Sequence, residues 1–419
     1  MLIREFAALA VLAFSFVETG PGADIPPGFD FPRTERELMA RGNLGKRWHA
    51  WMVFNGVTQR KPGTSQPIFF TWQEDNEVFG PDEIKGLRNI FRVPPEIQFS
   101  LAKQPASLDK APSCRSSPCQ LVFFSPSTVA GLNGLSNPQV GSVVPKCSDS
   151  LDKLISKLNA QNAERENRDI PEFDSRSIAV KTTWLLVLDD NPTVLRLYDP
   201  PPVNLVPAKP SNWSESWKRC VWIKSPTAEP GQNVPGCRMV PFDEFFSFKV
   251  DTDSFTLASA GLSPGPSPGF HVYAILVGIH ITTKEIPNWV WATFWWDDRP
   301  NDHEFSFDRP LPLRFRKPWR NYVMDVAYDM DKPEMARGIP KICFNPYLEG
   351  QFKGGTVSNC MTCHRRAMYP DLGRRDIDVY RGVVSNGDHL AFPDPEEHPF
   401  VRTDFLWSIA IRANSQACK

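Results

Sequence analysis

The sequence predicts an α+β fold with a β-rich central core and helices at both ends, and three observations carry that expectation. The 419 residues include 41 prolines, 13 tryptophans and 29 phenylalanines, a composition of short rigid loops and aromatic packing rather than of long helices. Apolar residues recur at helical spacing most clearly at Leu151, Leu154, Ile155 and Leu158. From Ile178 onward the spacing changes to period two, which is the signature of strands. The β-rich part is expected from about residue 175 to 325, and a separate C-terminal segment, 331–419, is expected to pack on it.

Residues 1–23 have the look of a secretory signal: Arg4 in a short head, an apolar run from Phe6 to Val17, and Gly20-Pro21-Gly22-Ala23 as a small-residue exit. Thr34 and Glu37 then have the spacing of a capping box that opens a helix. Within Arg47–Phe54, Trp48, Trp51 and Met52 are spaced to share one helical face, with His49 off that stripe. Residues 125–146, rich in Ser, Gly, Asn and Pro, read as a long loop. Leu151, Leu154, Ile155 and Leu158 follow Ser148 and Asp149 at helical spacing and define an amphipathic helix.

Ile178, Val180, Thr182, Trp184 and Leu186 then line one side of a strand. The β-branched run Val272 to Thr283, the breaker Lys284-Glu285-Ile286-Pro287 and the run Asn288 to Trp296 predict a hairpin. Trp289, Trp291, Thr293 and Trp295 share one face there, as sheet core. Asp297-Asp298-Arg299-Pro300 ends the strand, and both this carboxylate pair and Asp329 with Asp331 read as turn residues rather than calcium ligands.

Charge selects no partner, because 47 basic and 48 acidic residues are mixed along the chain. Nothing in that balance calls for nucleic acid, and no later run approaches the ~20 apolar residues of a membrane span. Nine cysteines suit an oxidising compartment. Cys220 and Cys237 bracket a Pro/Gly-rich excursion and Cys114 and Cys119 flank a turn, so both pairs are expected as local disulfides. Cys147, Cys343 and Cys418 have no evident pairing by sequence.

Cys360-Met361-Thr362-Cys363-His364 is the chemically specific run. Two thiols one helical turn apart can each add to a haem vinyl group while the adjacent imidazole ligates iron. Composition alone would produce roughly 0.003 such runs per chain of this length, so coincidence is a poor explanation. A redox dithiol and half of a zinc site are the competing readings. Neither has support nearby: no thioredoxin-like βαβ pattern surrounds Cys360, and no second Cys-x-x-Cys or His-x₃₋₅-His is present in the sequence. The segment 331–419 is therefore expected to bind one covalent haem c, with 24–330 as the β-rich α+β domain. His364 is the expected iron ligand, and Arg365 and Arg366 are expected partners for haem propionates.

The chain also resembles a group of exported bacterial monohaem c-type cytochrome-like proteins. The resemblance rests on Ala179-Val180-Lys181-Thr182-Thr183-Trp184, on Val277-Gly278-Ile279-His280 to Lys284, on Trp289-Val290-Trp291-Ala292-Thr293-Phe294, on Ser358-Asn359 followed by the motif, and on Thr403-Asp404-Phe405-Leu406-Trp407. It implies covalent haem and export to the periplasm or beyond, and it names no substrate or reaction.

The sixth iron position decides between two expectations. An electron-transfer cytochrome with a redox partner protein needs that position filled, whereas an oxidase, peroxidase or oxygenase needs it open. Met368 is the only methionine after His364 and lies one turn along the chain. Other nominees are His389, His398, His280, His303, Met324, Met330 and Met335. Tyr347 and Tyr369 could line a haem pocket, and Gly354-Gly355 permits close backbone approach. The sequence carries no phosphate-binding loop, dinucleotide fingerprint or nucleophile elbow.

Overall fold

The computed structural model describes residues 42–80, 120–135, 143–164, 167–188, 192–199, 217–226, 233–249, 272–301, 305–327, 335–336, 339–340, 343–349, 360–371 and 394–418. The signal-like segment, the capping box at Thr34, the Cys114 and Cys119 pair, Asp329, Asp331, Gly354-Gly355, His303, Met330 and His389 lie outside these residues.

The described residues form a mixed α and β structure around one large antiparallel sheet. Its strands in chain order are β1 (Gln73–Glu74), β2 (Gln120–Phe124), β3 (Ile178–Leu188), β7 (Ser247–Lys249), β8 (Val272–Thr283), β9 (Val290–Trp296) and β10 (Tyr322–Ala327). The spatial order is β1-β2-β3-β8-β9-β10, with β7 on one end of β8. β3 and β8 form the spine, paired from Ile178↔Thr283 to Leu188↔Val272 with one register shift at Thr183/Trp184. β8 and β9 are the expected hairpin, with Thr283 opposite Val290 and Gly278 opposite Trp295. Asn288 and Trp289 belong to its turn rather than to the strand.

Beside the sheet, β4 (Thr193–Leu197) pairs antiparallel with β5 (Arg219–Lys224), which pairs parallel with β6 (Arg238–Pro241). Two ribbons complete the strands: β11 (Met335–Ala336) with β12 (Ile339–Pro340), and β13 (Met368–Tyr369) with β14 (Val401–Arg402).

Successive strand residues point to opposite faces, and here both faces carry apolar residues that must be covered, although the second also carries the polar row Lys181, His280, Thr293 and Asp325. Val180, Ile281, Ile279, Phe294, Met324 and Val326 face one way and pack with Trp51 and Phe54 of α1 (Gly42–Val57). Phe54 stacks on Phe294 with centroids 4.3 Å apart. Ala179, Trp291 and Phe124 face the other way and join a second cluster. That cluster takes in Leu151, Ile155 and Leu158 of α4 (Ser148–Ala160), which has the apolar stripe its spacing predicts. It also takes in Ile409 of the C-terminal helix Trp407–Arg412. Each fully buried side chain of this size contributes about 1.5–3 kcal/mol relative to exposure.

Several local expectations are corrected. The stripe of α1 is rotated, so Trp51 is buried while Trp48 is 43% exposed. His49 is fully buried rather than on the outer side of the helix, with its Nε2 3.2 Å from Glu285 Oε1 in the hairpin turn. The loop expected over 125–146 contains α3 (Pro126–Leu132), preceded in the chain by α2 (Asp75–Phe79). Ser125 caps α3 by accepting from the Thr128 amide, with Pro126 at the first helical position, a local signal that outweighs loop-like composition.

Asp297 and Asp298 are turn residues, as expected, and both pair with Arg219 on β5, tying the small sheet to the end of β9. Cys220–Cys237 is a disulfide, as the spacing suggested, and Cys147–Cys418 is a second one that joins the start of α4 to the C-terminus. Among the described residues no helix is long and apolar enough to cross a membrane.

Candidate functional site

The Cys-x-x-Cys-His run forms a short helix, Cys360–His364, on the second face of the sheet. Cys360 and Met361 are buried in the cluster around Trp291, and Cys363 and His364 are partly exposed at its edge. Residues three apart on a helix share a side, so the two thiols emerge on one flank with the imidazole just beyond them.

His364 is held on both sides. Its ring lies against Trp291 with centroids 4.1 Å apart and planes at 37°. Its Nδ1 lies 2.8 Å from the Phe405 carbonyl oxygen. A carbonyl can only accept, so Nδ1 carries the hydrogen and Nε2 of the neutral ring keeps its lone pair. Burial pushes the imidazole down to about 3, opposed by the Phe405 hydrogen bond and reinforced by the charges of Lys181 and His280. The ring is therefore neutral at ordinary pH.

The Phe405 carbonyl is placed by a turn that L-residues rarely adopt, with φ of 45° at Asp404 and 67° at Phe405. Asp404 holds that turn from inside the protein. It accepts from Lys284 Nζ at 2.8 Å, from Trp289 Nε1 at 3.3 Å and from the Phe173 amide at 3.3 Å. The Lys284–Asp404 pair is nearly inaccessible to water and Lys284 also donates to the Pro287 carbonyl. A chain of contacts thus runs from the β8–β9 turn through Asp404 and Phe405 to His364.

The sheet brings four further groups to the thiols. Lys181 on β3 stands opposite His280 on β8 in the strand register, and both point to the face that carries Cys360. His280 Nε2 lies 3.1 Å from Oε1 of Glu349, the last residue of the helix Pro346–Glu349. The other Glu349 carboxylate oxygen accepts from the Asn345 amide. The Asn345 side chain in turn donates to Thr293 Oγ1 and the Phe294 carbonyl, both at 2.8 Å. Gly278 lets this loop sit against the sheet, because a Cβ there would come within 2.9 Å of Asn345 Oδ1. Ligand atoms of His280, Glu349 and Cys360 lie within 4.8 Å of one another, and Cys343 Sγ is 4.0 Å from Cys360 Sγ.

These neighbours set the thiol chemistry. Burial pushes Cys363 up to about 11, with Glu349 adding to the rise and Lys181 and Arg366 opposing it. Contact with Cys343 draws Cys360 down, but burial and the charges of Glu349 and Asp325 leave it raised overall. Lys181 is shifted down by burial, against the attraction of Glu349 and Cys363. Both motif cysteines are accordingly thiols rather than thiolates at neutral pH.

The remaining sequence nominees separate cleanly. Arg365 and Arg366 follow the motif directly and are partly buried. Met324 packs with the α1 cluster on the opposite face of the sheet, and His398 is exposed. Met368 is buried against Phe400. Tyr347 is a core residue whose hydroxyl donates to the Arg196 carbonyl, and Tyr369 is partly buried on β13. No acid/base pair is visible beside the motif in sequence, yet His280–Glu349 supplies one in space. The available signal was Lys181 and His280, isolated polar side chains within the strand-forming runs that become β3 and β8. Comparison with protein-family models, with curated proteins and with solved structures gave no match.

Proposed function

We propose that the chain binds one covalent haem c through Cys360 and Cys363, with His364 as the axial iron ligand, and serves in electron transfer outside the cytoplasm. The observation that carries this reading is the Nδ1–H···O=C bond from His364 to Phe405, which leaves Nε2 as the only ligating nitrogen. Burial supports it by keeping the ring unprotonated. The helix supports it too, since thioether formation needs two thiols on one flank and the ligand at their end. Bound there, the haem would supply one-electron ferric/ferrous chemistry. The protein's part would be to orient His364 through Phe405, to pack Trp291 against it, and to offer Arg365 and Arg366 to the propionates. The resemblance to exported monohaem cytochrome-like proteins points the same way, as do the two disulfides, which suit an oxidising compartment. A redox partner protein is part of this proposal.

A second reading, a haem enzyme with an open sixth position, is favoured by the His280–Glu349 pair, which could move a proton close to the motif. A covalent-haem stain on denatured protein from cells with haem-attachment machinery tests the central claim. Wild type should stain and Cys360→Ala with Cys363→Ala should not; an unstained wild type refutes the proposal. Carbon monoxide then separates the two readings, because a shifted ferrous spectrum means an accessible iron and an unchanged one means a firmly held sixth ligand.

A further inference from the structure

The motif helix delivers Cys360 into a set of groups that haem attachment does not use. Cys343 and Cys360 are buried to 1% and 3% exposure, with their sulfurs 4.0 Å apart. His280 Nε2 and Glu349 Oε1 are 3.1 Å apart, and His280, Glu349 and Cys360 present ligand atoms within 4.8 Å of each other. In a tetrahedral zinc site the separation between two ligands is 1.63 times the bond length. Zn–S bonds of about 2.3 Å put two thiolates roughly 3.8 Å apart, and Zn–N and Zn–O bonds of about 2.0–2.1 Å put those atoms roughly 3.3 Å apart. The sulfur pair at 4.0 Å and the His280–Glu349 pair at 3.1 Å each come to about 0.2 Å of the corresponding value, and the remaining separations within the His280, Glu349 and Cys360 group are under 4.8 Å, so a small closing movement completes the shell.

We infer that, before haem is attached, Cys360, His280 and Glu349 bind one thiophilic divalent cation of the zinc class, with Cys343, beside Cys360, closing on the ion as the fourth ligand. The chemistry of the donors fits a borderline-soft ion: two sulfurs, one imidazole nitrogen and one carboxylate oxygen. The supporting contacts are built as ligand shells are built. Glu349 is oriented by the Asn345 amide, and Asn345 is pinned to β9 through Thr293 and Phe294. Two thiolates and a carboxylate contribute three negative charges, which suit a divalent cation with Lys181 close enough to Glu349 to interact with it. The two thiol protons pass to solvent on binding, so no oxidant or reductant is needed. The cation would keep the buried thiols from oxidising while the chain awaits its haem. Because Cys360 belongs to both sets, thioether formation releases the cation; this exclusivity and the protective role rest on the haem proposal, whereas the binding of the cation does not.

The test uses the full chain produced without haem-attachment machinery, reduced at Cys343, Cys360 and Cys363, and titrated with Zn²⁺ against a chromophoric chelator. One ion per chain is expected. Cys343→Ser and Glu349→Gln should each weaken binding by roughly tenfold or more, while Cys363→Ser and His364→Ala should leave it unchanged. Co²⁺ in the same chain should give sulfur-to-cobalt charge-transfer bands that diminish in Cys343→Ser. Circular dichroism of each variant confirms that it is folded, and Glu349→Gln retains the size of the side chain it replaces. If Cys363→Ser abolishes binding and Cys343→Ser does not, the ion sits on the motif dithiol and the inference is wrong. It is equally wrong if the folded, reduced wild type binds no zinc. A haem stain without zinc binding would discard the metal site alone, and zinc binding without a haem stain would discard the haem reading alone.

Discussion

Of the two disulfides among the described residues, Cys147–Cys418 should be the stronger staple, and replacing both cysteines by serine measures it. The bond closes a loop with a sequence separation of 271. On the chain-entropy relation such a loop removes unfolded-state freedom worth about 5.6 kcal/mol, whereas the separation of 17 at Cys220–Cys237 gives about 3.1 kcal/mol. Serine suits position 147, which precedes α4 and already accepts from the Ser150 amide, so the cap survives the change. Part of the C-terminal anchoring also survives, through Arg412 to Asp75 and Asn414 to the Phe79 carbonyl. The loss should therefore approach its estimate through the unfolded state rather than by detaching the terminus. Urea unfolding followed by tryptophan fluorescence, with Cys220→Ser/Cys237→Ser in parallel, is the assay. The long-loop variant should be the less stable of the two by about 2.5 kcal/mol. Equal losses, or a larger loss in the short-loop variant, would refute the entropic argument and place the energy in native contacts instead.

Three further outcomes are expected. Asp404→Asn leaves the Lys284 ammonium buried without its counter-charge and should cost about 3–5 kcal/mol in urea unfolding; a loss under about 1 kcal/mol would mean that Asp404 does not hold the turn. Gly278→Ala forces a methyl to within 2.9 Å of Asn345 Oδ1 and 3.3 Å of Tyr347 Cβ, so thermal unfolding should register about 1–3 kcal/mol of destabilisation, and an unchanged midpoint would contradict the close packing of that loop. The third concerns acid. Burial holds the His364 imidazole down at about 3 in the folded chain against an ordinary value of 6.5, so the unfolded chain binds the extra proton between those limits. Its contribution is complete above pH 6.5 and drains away as pH falls toward 3, at no more than about 1.4 kcal/mol per pH unit. Partial exposure of the ring reduces that figure. His364→Gln should flatten the decline between pH 6.5 and 5, and an identical slope in the variant would show that the imidazole is not neutral through burial.

Local pattern was enough to read the elements that depend on neighbours in sequence. The period-two run at Ile178, the breaker between the β8 and β9 strands and the stripe of Leu151, Ile155 and Leu158 all became the elements they indicate, because alternation and helical spacing are enforced residue by residue. Cys220 and Cys237 were legible for the same reason, with a short excursion between them. Composition misled at α3, where one serine and one proline outweighed a loop-like stretch. It also could not set the rotation of α1, since the face a helix buries depends on what packs against it.

The Cys-x-x-Cys-His run, with its spacing and its helix, is complete in the sequence. What surrounds it was decided by the fold alone. Register puts Lys181 beside His280, the Asn345 loop brings Glu349 to that pair, and the Asp404–Phe405 turn aims a carbonyl at His364. Cys343, a leftover by sequence, comes to stand 4.0 Å from Cys360, and Cys418 reaches across the chain to Cys147. These contacts join residues far apart in sequence, and no local propensity encodes them. They exist because a sheet that carries apolar residues on both faces must be covered on both, and the segments that cover the second face carry the site's chemistry with them.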